Sequence, residues 1–420
     1  MSLARRVFIV GGAHTPFIGK HHPDFIWKRH PDFGKRNNPT YEEHLRSAVE
    51  GAIEDSGVDP ERVDRLYIGN FTGELFVNQG HMGAALAGSH PAFAYKPAAR
   101  LEGACASGGL AVLAALDAIA AGADTVLAAG VEVQTTVNAR VGADYLARAS
   151  HYTRQRSIDD FTFPALFARR NKACLEGTDL TEADLAAVSV KAYANANANP
   201  LAHMRARKMS FEVAASENDR NPCFLGNAEL NPYLKLSDCS QVSDGASAMF
   251  LVSEDGLAAM GLTEADAVEI IGRGHSVDSL YVDRDPTELA TARHAANQAY
   301  ASAGVSIADV QVAEVHDCFT VTEVLMYEAM GMAAKGKGGA LASAGHTTLS
   351  GALPVNTGGG LIGFGHPVGA TGVKQPLEIY RQMKGRCGDY QLSTLPKIGM
   401  TMNMGGDDKT VVSLIMRAGS

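Results

Sequence analysis

The chain of 420 residues has ordinary globular composition, 46% hydrophobic and 20% charged, and is long enough for two core-bearing lobes. Its 37 basic and 46 acidic residues leave a net charge of −9, which argues against nucleic acid as the main partner. Six cysteines, at 105, 174, 223, 239, 318 and 387, form no C-x-x-C pair, so neither a zinc ribbon nor a disulfide framework is implied and reduced thiols in a cytoplasmic protein are expected.

In chain order, Val7–Gly11 is a short apolar run that predicts a buried strand and is too short to span a membrane. Residues 17–40 form an insertion rich in His, Lys and Pro. Its His21, His22 and His30 lack a carboxylate or cysteine at ligand spacing, so an exposed loop is expected there rather than a metal site. Tyr41–Ser56 has helical spacing, with Leu45, Val49, Ala52 and Ile53 on one face and Gly57 at the C-cap position. Val63–Ile68 is the next strand, Leu110–Ala121 a helix and Asp124–Gly130 a strand, with Glu132 just beyond it. Residues 135–235, rich in Asn, Arg and Tyr, read as a loop domain inserted over the N-terminal half, with a helix over Thr181–Asn197.

The same grammar then returns. Val268–Gly272 resembles the opening strand, Ala295–Ala303 is helical, Gly304 ends it, and Val310–Val315 is a strand. Aligning Gly57 with Gly304, 247 positions later, brings Val63 onto Val310 and Ile68 onto Val315. This predicts an α/β protein of two similar halves, 1–260 and 265–420. A helix over Val373–Met383 and a terminal strand over Thr410–Met416 complete the second half.

Four segments carry chemistry. In Glu102-Gly103-Ala104-Cys105-Ala106-Ser107-Gly108-Gly109 a cysteine among small residues precedes a helix. The helix N-terminus favours a thiolate and offers N–H groups to an oxyanion, although the segment alone also fits a buried structural thiol. His316-Asp317-Cys318-Phe319 follows a buried strand, where α/β ligand sites lie, and the spacing of two puts His316 and Cys318 on one face if the strand continues. The stretch from Gly358 to Gly372 surrounds His366 with glycines, which implies tight backbone packing around a displayed imidazole. In Thr401-Met402-Asn403-Met404-Gly405-Gly406, either glycine is placed to give a backbone N–H to an oxyanion.

In order and spacing, Ala104-Cys105-Ala106-Ser107-Gly108-Gly109, His316-Asp317-Cys318-Phe319 and Gly365-His366-Pro367-Val368-Gly369-Ala370-Thr371-Gly372 resemble the thiolases over nearly the whole chain. The His-Asp-Cys-Phe motif is similar to that of the sterol-carrier-protein-linked type. The resemblance implies two duplicated βαβαβ-type halves in a layered α/β/α/β/α arrangement. It also implies an acyl-CoA C-acyltransferase that makes or cleaves a C–C bond of a 3-ketoacyl-CoA through an acyl-Cys105 thioester. Cys105 would be the nucleophile and His366 its activator. His316 would serve in a first oxyanion hole, and the N–H groups of Cys105 and Gly405 would form a second.

Ser240 matches a serine that contacts the coenzyme A arm. Most thiolases carry a second acid/base cysteine where this chain has Asn403, so Cys318 would take over that proton transfer. Phe163-Pro164-Ala165-Leu166-Phe167 replaces a His-Met pair near the acyl group. Coenzyme A enters as substrate, with no permanent cofactor, metal or membrane span expected, and Arg169, Arg170, Lys172, Arg205, Arg207 and Lys208 are the candidate phosphate contacts. A homodimer or homotetramer is implied. A ketosynthase-like acyltransferase with a non-CoA acceptor, and a non-catalytic acyl-CoA-binding scaffold, are the competing readings.

Overall fold

A computed structural model describes residues 4–419; Met1–Leu3 and Ser420, the outer ends of the two halves read from the sequence, lie outside the described residues. The first half contributes strands β1 (Val7–His14), β2 (Arg65–Gly69), β3 (Ala98–Leu101), β4 (Thr125–Glu132) and β5 (Gly245–Ser253). The second contributes β6 (Val268–Val277), β7 (Val312–Val315), β8 (Ile398–Gly405) and β9 (Thr410–Ala418). They hydrogen-bond in the order β3-β2-β4-β5-β1-β6-β9-β8-β7. In the first half β2 runs parallel to β3 and β4, while β5 is antiparallel to β4 and β1. In the second, β7 is parallel to β8, and β9 is antiparallel to β8 and β6. An antiparallel pairing of Val7 with Ile270 and Ile9 with Val268 joins the two.

The duplication extends to single residues. Gly57 and Gly304 both end their helices at φ 68°, a left-handed conformation that glycine adopts without a Cβ penalty. Leu66 pairs in parallel with Ala98 of β3, and Ala313, 247 positions later, makes a parallel bridge to Val355. The fifth strand of the second half is reduced to that bridge, because Asn356 (φ 58°), Gly359 (φ 114°) and Gly360 (φ 62°) turn the chain away from the sheet.

Both faces of the strands are buried. On one side Val7 and Ile9 join Val126, Met249, Val268 and Leu414 around helices Ser107–Ala120 and Val368–Met383. On the other, Phe8 and Val10 pack with Leu45, Val49 and Ala52 of helix Tyr41–Ser56. Helix Ala290–Ala303 covers the second half through Ala292, Ala295 and Ala299. The sheet is thus doubled over a central pair of helices and covered outside, giving the five expected layers.

The central helices begin earlier than periodicity alone predicts, at Ser107 rather than Leu110 and at Val368 rather than Val373. Their first turns are glycine-rich and poor helix formers, but packing overrides that propensity. A Cβ on Gly372 would lie 2.0 Å from Gly109 N, and one on Gly108 would lie 2.7 Å from Gly369 O. The backbones touch, and only glycine allows it. Helix Ala290–Ala303 likewise starts before Ala295, and β2 starts at Arg65 because Asp59 caps a 3-10 turn over Pro60–Arg62.

Two expectations need correction. The inserted segment contains the expected helix, at Glu182–Ala198, and a second long one, Thr162–Gly177, but it packs on the second half as well as the first. Ala192 and Ala196 lie on the glycine stretch, where a Cβ on Gly363 would be 2.3 Å from Ala192 O. The 17–40 insertion is only partly an exposed loop: Phe17, Ile18, Phe25 and Ile26 are buried, and Ile18 bridges Asp244. His22 and His30 each use Nδ1 to accept the N–H two residues on, at Asp24 and Asp32, both 3.1 Å. His22 is buried, and desolvation lowers its pKa to about 4.

Gly372→Ala should therefore destabilise the fold by about 3 kcal/mol, the upper range for overpacking against an immovable backbone. Gly304→Ala, strained but in open space, should cost only about 1 kcal/mol. Urea denaturation of both variants checks the difference.

Candidate active site

Cys105 sits two residues before helix Ser107–Ala120, after Ala104 in the left-handed region at φ 52°. A non-glycine residue there is strained, and Ser107 holds the turn: its Oγ accepts the Gly103 N–H (3.1 Å) and donates to Ala104 O (2.6 Å). The result is a sharp elbow that displays Sγ at the helix N-terminus. The sequence expectation of a favoured thiolate is nonetheless corrected. Burial pushes the Cys105 thiol up to about 12, outweighing the N–H groups of Gly406 and Cys105 that favour the anion. Cys105 rests as a thiol.

His366 stands against it. Its Nδ1 lies 2.7 Å from Thr371 Oγ1, whose hydroxyl donates to Pro367 O at 3.2 Å. The hydroxyl proton being spent, Nδ1–H donates to Thr371, and Nε2 is left as a buried lone pair with no partner. Burial lowers the His366 pKa to about 3, so the ring is neutral. The donor atoms of Cys105, His316 and His366 all lie within 4.8 Å of one another. The two imidazoles meet edge to face, centroids 5.1 Å apart at 87°.

His316 and Cys318 flank the same point, but not from one strand face. β7 ends at Val315, and the chain turns immediately after it. Cys318 Sγ lies 3.8 Å from Thr322 Oγ1. Burial, reinforced by the Cys105 sulfur, holds the Cys318 thiol well above the usual cysteine range. Asp317, between them, faces away from the reacting groups. It accepts the N–H groups of Leu361 (2.6 Å) and Ile362 (3.3 Å) and so ties this motif to the glycine stretch. Glu323, in helix Thr320–Ala329, bonds Lys191, Tyr327 and Asn356 in the core.

Other residues read from the sequence fall on the walls. Ser240 donates its N–H to Cys318 O at 2.9 Å and borders a cavity of about 350 Å³ shared with Cys105, Cys318 and His366. Phe71, Leu146, Phe163 and Val368 make its inner end apolar, while the exposed Leu236 and Val242 stand at its mouth. Gly405 packs against the Cys105 elbow, where a Cβ would lie 1.9 Å from Gly103 O; the N–H that reaches Cys105 Sγ belongs to Gly406, one residue on. Of the candidate phosphate contacts, Arg169 and Arg170 pair with Asp407 and Lys172 with Glu229. Arg205 and Arg207 lie near His22 and His21 of the 17–40 insertion.

Three supporting residues escaped sequence reasoning. Thr371 orients His366 from five positions away. Glu132 collects the N–H groups of Phe71 (2.9 Å), Thr72 (3.2 Å) and Gly369 (3.1 Å) and the Asn70 amide (3.1 Å), pinning the first turn of the Val368–Met383 helix to β2 and β4. Asn403 accepts Gly109 N–H (3.2 Å) and donates to Cys105 O (3.1 Å), with His316 Nδ1 3.4 Å away. All three were visible in the sequence, Glu132 beyond its strand, Thr371 within the glycine motif and Asn403 in place of a cysteine, but none with its supporting role.

Known proteins match the chain along its length. Residues 29–255 match the family described as thiolase, N-terminal domain, and residues 272–418 match thiolase C-terminal domain-like. The chain is similar to an acetyl-CoA acetyltransferase of Methanothermobacter thermautotrophicus, 35% identical over 88% of this chain and 93% of that protein. It is 27% identical to sterol carrier protein 2 of Oryctolagus cuniculus, over 97% of this chain and 71% of that one. In fold it is similar to human mitochondrial 3-ketoacyl-CoA thiolase in complex with CoA, with a TM-score of 0.72, 18% identity and coverage of 100% of both chains.

Thr371→Val should leave the His366 Nδ1–H unpaired in the apolar site at a cost of about 1–3 kcal/mol. Labelling of Cys105 by iodoacetamide should slow on the order of 10-fold, a loss of the same size as 1.4 kcal/mol. Peptide mass spectrometry across a time course reads it.

Proposed function

The chain is a member of the thiolase family, an acyltransferase, and from that premise we propose that Cys105 carries the acyl group while His366, His316 and Cys318 move the protons and hold the charge. The observation that carries this reading is the convergence of the Cys105, His316 and His366 donor atoms within 4.8 Å at the inner end of the apolar cavity that Cys318 also lines. The ketosynthase-like and non-catalytic alternatives are not favoured, given acetyl-CoA acetyltransferase relatives that align over most of the chain.

The chemistry follows from where the protons sit. Cys105 Sγ attacks the thioester carbonyl of an acyl-CoA as His366 Nε2 takes the thiol proton, which leaves with the departing CoA thiolate. The Gly406 and Cys105 N–H groups already point at the sulfur and stand beside the carbonyl oxygen as it gains charge. In the synthetic direction the Cys318 thiol first passes its proton to the free His366 Nε2; the thiolate then takes the α-proton of a second acyl-CoA, and the enolate attacks the acyl carbon on Cys105. The new C–C bond forms as the C–S bond breaks, and the freed Cys105 thiolate recovers the proton held on His366, leaving Cys318 reprotonated by the α-proton. Charge on one sulfur disfavours charge on the other, so the two thiols ionise in turn and not together. His316 faces the enolate oxygen. In the degradative direction the same steps run backwards, with CoA as final acceptor.

Coenzyme A enters by the mouth at Leu236 and Val242, past Ser240. The edge of β3, with Ala98 and Ala99 exposed, is the kind of open strand edge that a second copy covers, in keeping with a homodimer or homotetramer.

Incubation with radiolabelled acetyl-CoA should place the label on the Cys105 peptide and nowhere else. Cys105→Ala should abolish it. Cys318→Ala should still acylate but lose condensation by on the order of 100-fold, as for a missing acid/base group. A label on any other peptide removes the assignment.

A further inference from the structure

The reaction needs His316 to meet the substrate oxygen with a proton, yet a neutral imidazole carries only one N–H, and its position is free to be either nitrogen. The surroundings of Asn403 remove that freedom. Its Oδ1 accepts the Gly109 N–H at 3.2 Å. That oxygen is also packed on glycine backbone, since a Cβ on Gly109 would lie 2.7 Å from it and one on Gly372 2.3 Å. A flipped amide would set its NH₂ against the Gly109 N–H, donor to donor. The Nδ2 end therefore faces Cys105 O at 3.1 Å and His316 Nδ1 at 3.4 Å, with one hydrogen for each and no lone pair.

We infer that Asn403 is a positioning residue that holds His316 as its Nε2–H tautomer, so that this imidazole faces the reacting oxygen as a hydrogen-bond donor. The role rests on the reading of His316 as an oxyanion donor given above. Burial and the neighbouring His366 keep His316 neutral, so the tautomer is the ring's only variable. The same amide grips the carbonyl of Cys105, and one side chain sets the nucleophile's elbow and the donor's proton together. A cysteine at this position has no second donor hydrogen with which to do both.

Asn403→Asp keeps the shape but offers His316 an acceptor, which draws the proton to Nδ1 and turns a lone pair toward the oxyanion. Loss of one such donor costs on the order of 100-fold or more, and an inverted tautomer in the serine-protease triad about 10⁴-fold. We expect kcat to fall at least about 100-fold in Asn403→Asp, with KM changed less than about threefold, and a smaller fall in Asn403→Ala, where the ring is free to choose. Nitrogen-15 spectra of histidine-labelled enzyme, with His316 assigned by His316→Gln, should show an unprotonated Nδ1 in the wild type and a protonated one in Asn403→Asp. In the His316→Gln background Asn403→Ala should cost clearly less than it does beside an intact His316, only what the hold on Cys105 O and Gly109 contributes.

A wild-type His316 protonated at Nδ1, an Asn403→Asp enzyme within about threefold of wild-type kcat, or the full Asn403→Ala loss persisting in His316→Gln each overturns the inference. Those results in an enzyme that still acylates Cys105 leave the thiolase reading intact. Absence of acylation in the wild type strikes that reading instead, and the spectrum still reports the tautomer.

Discussion

The site depends on two helix N-termini being allowed to touch. Helices Ser107–Ala120 and Val368–Met383 belong to opposite halves, yet their first turns meet at Gly108, Gly109, Gly369 and Gly372 with no side chain between them. Contact at backbone distance brings Cys105 and His366, each two residues before its helix, to one point. Any Cβ in the seam would part the helices, and with them Cys105 and His366. Glu132 holds the second helix to the first half's strands, and Asn403 fastens the first helix to β8, so the seam is secured from both sides.

Burial then dictates how the site works. Desolvation holds both thiols protonated and both imidazoles neutral, which takes away the ion pair that often activates a cysteine. What is left to organise catalysis is the placement of hydrogens. Thr371 sends the His366 lone pair toward Cys105, and backbone N–H groups wait at the sulfur. Phe71, Phe163 and Val368 make the cavity wall beside Cys105 apolar, so fixed dipoles act there with less screening than in open solvent.

Duplication supplied the frame and divergence the function. The elbows of Gly57 and Gly304 still match, but the turns after β2 and β7 do not: one leads to the Glu132 cluster, the other to His316, Asp317 and Cys318. The long insertion falls in the first half and packs on the glycine stretch of the second. It roofs a site that neither half encloses alone.

The sequence by itself determined the α/β class, the repeat at 247 positions, and Cys105, His316, Cys318 and His366 as the residues of interest, because periodicity and short motifs are local and survive in one dimension. It also located the helices that end in glycine caps, since a cap is a local signal. Only the tertiary structure decided that the glycine-rich stretches are helical first turns, that Cys105 rests as a thiol, and that the N–H at its sulfur comes from Gly406. It alone revealed Thr371, Glu132 and Asn403 as supports. Those outcomes depend on what surrounds each group: desolvation competes with a helix dipole, and backbone contact competes with propensity. A chain read along its length carries neither comparison.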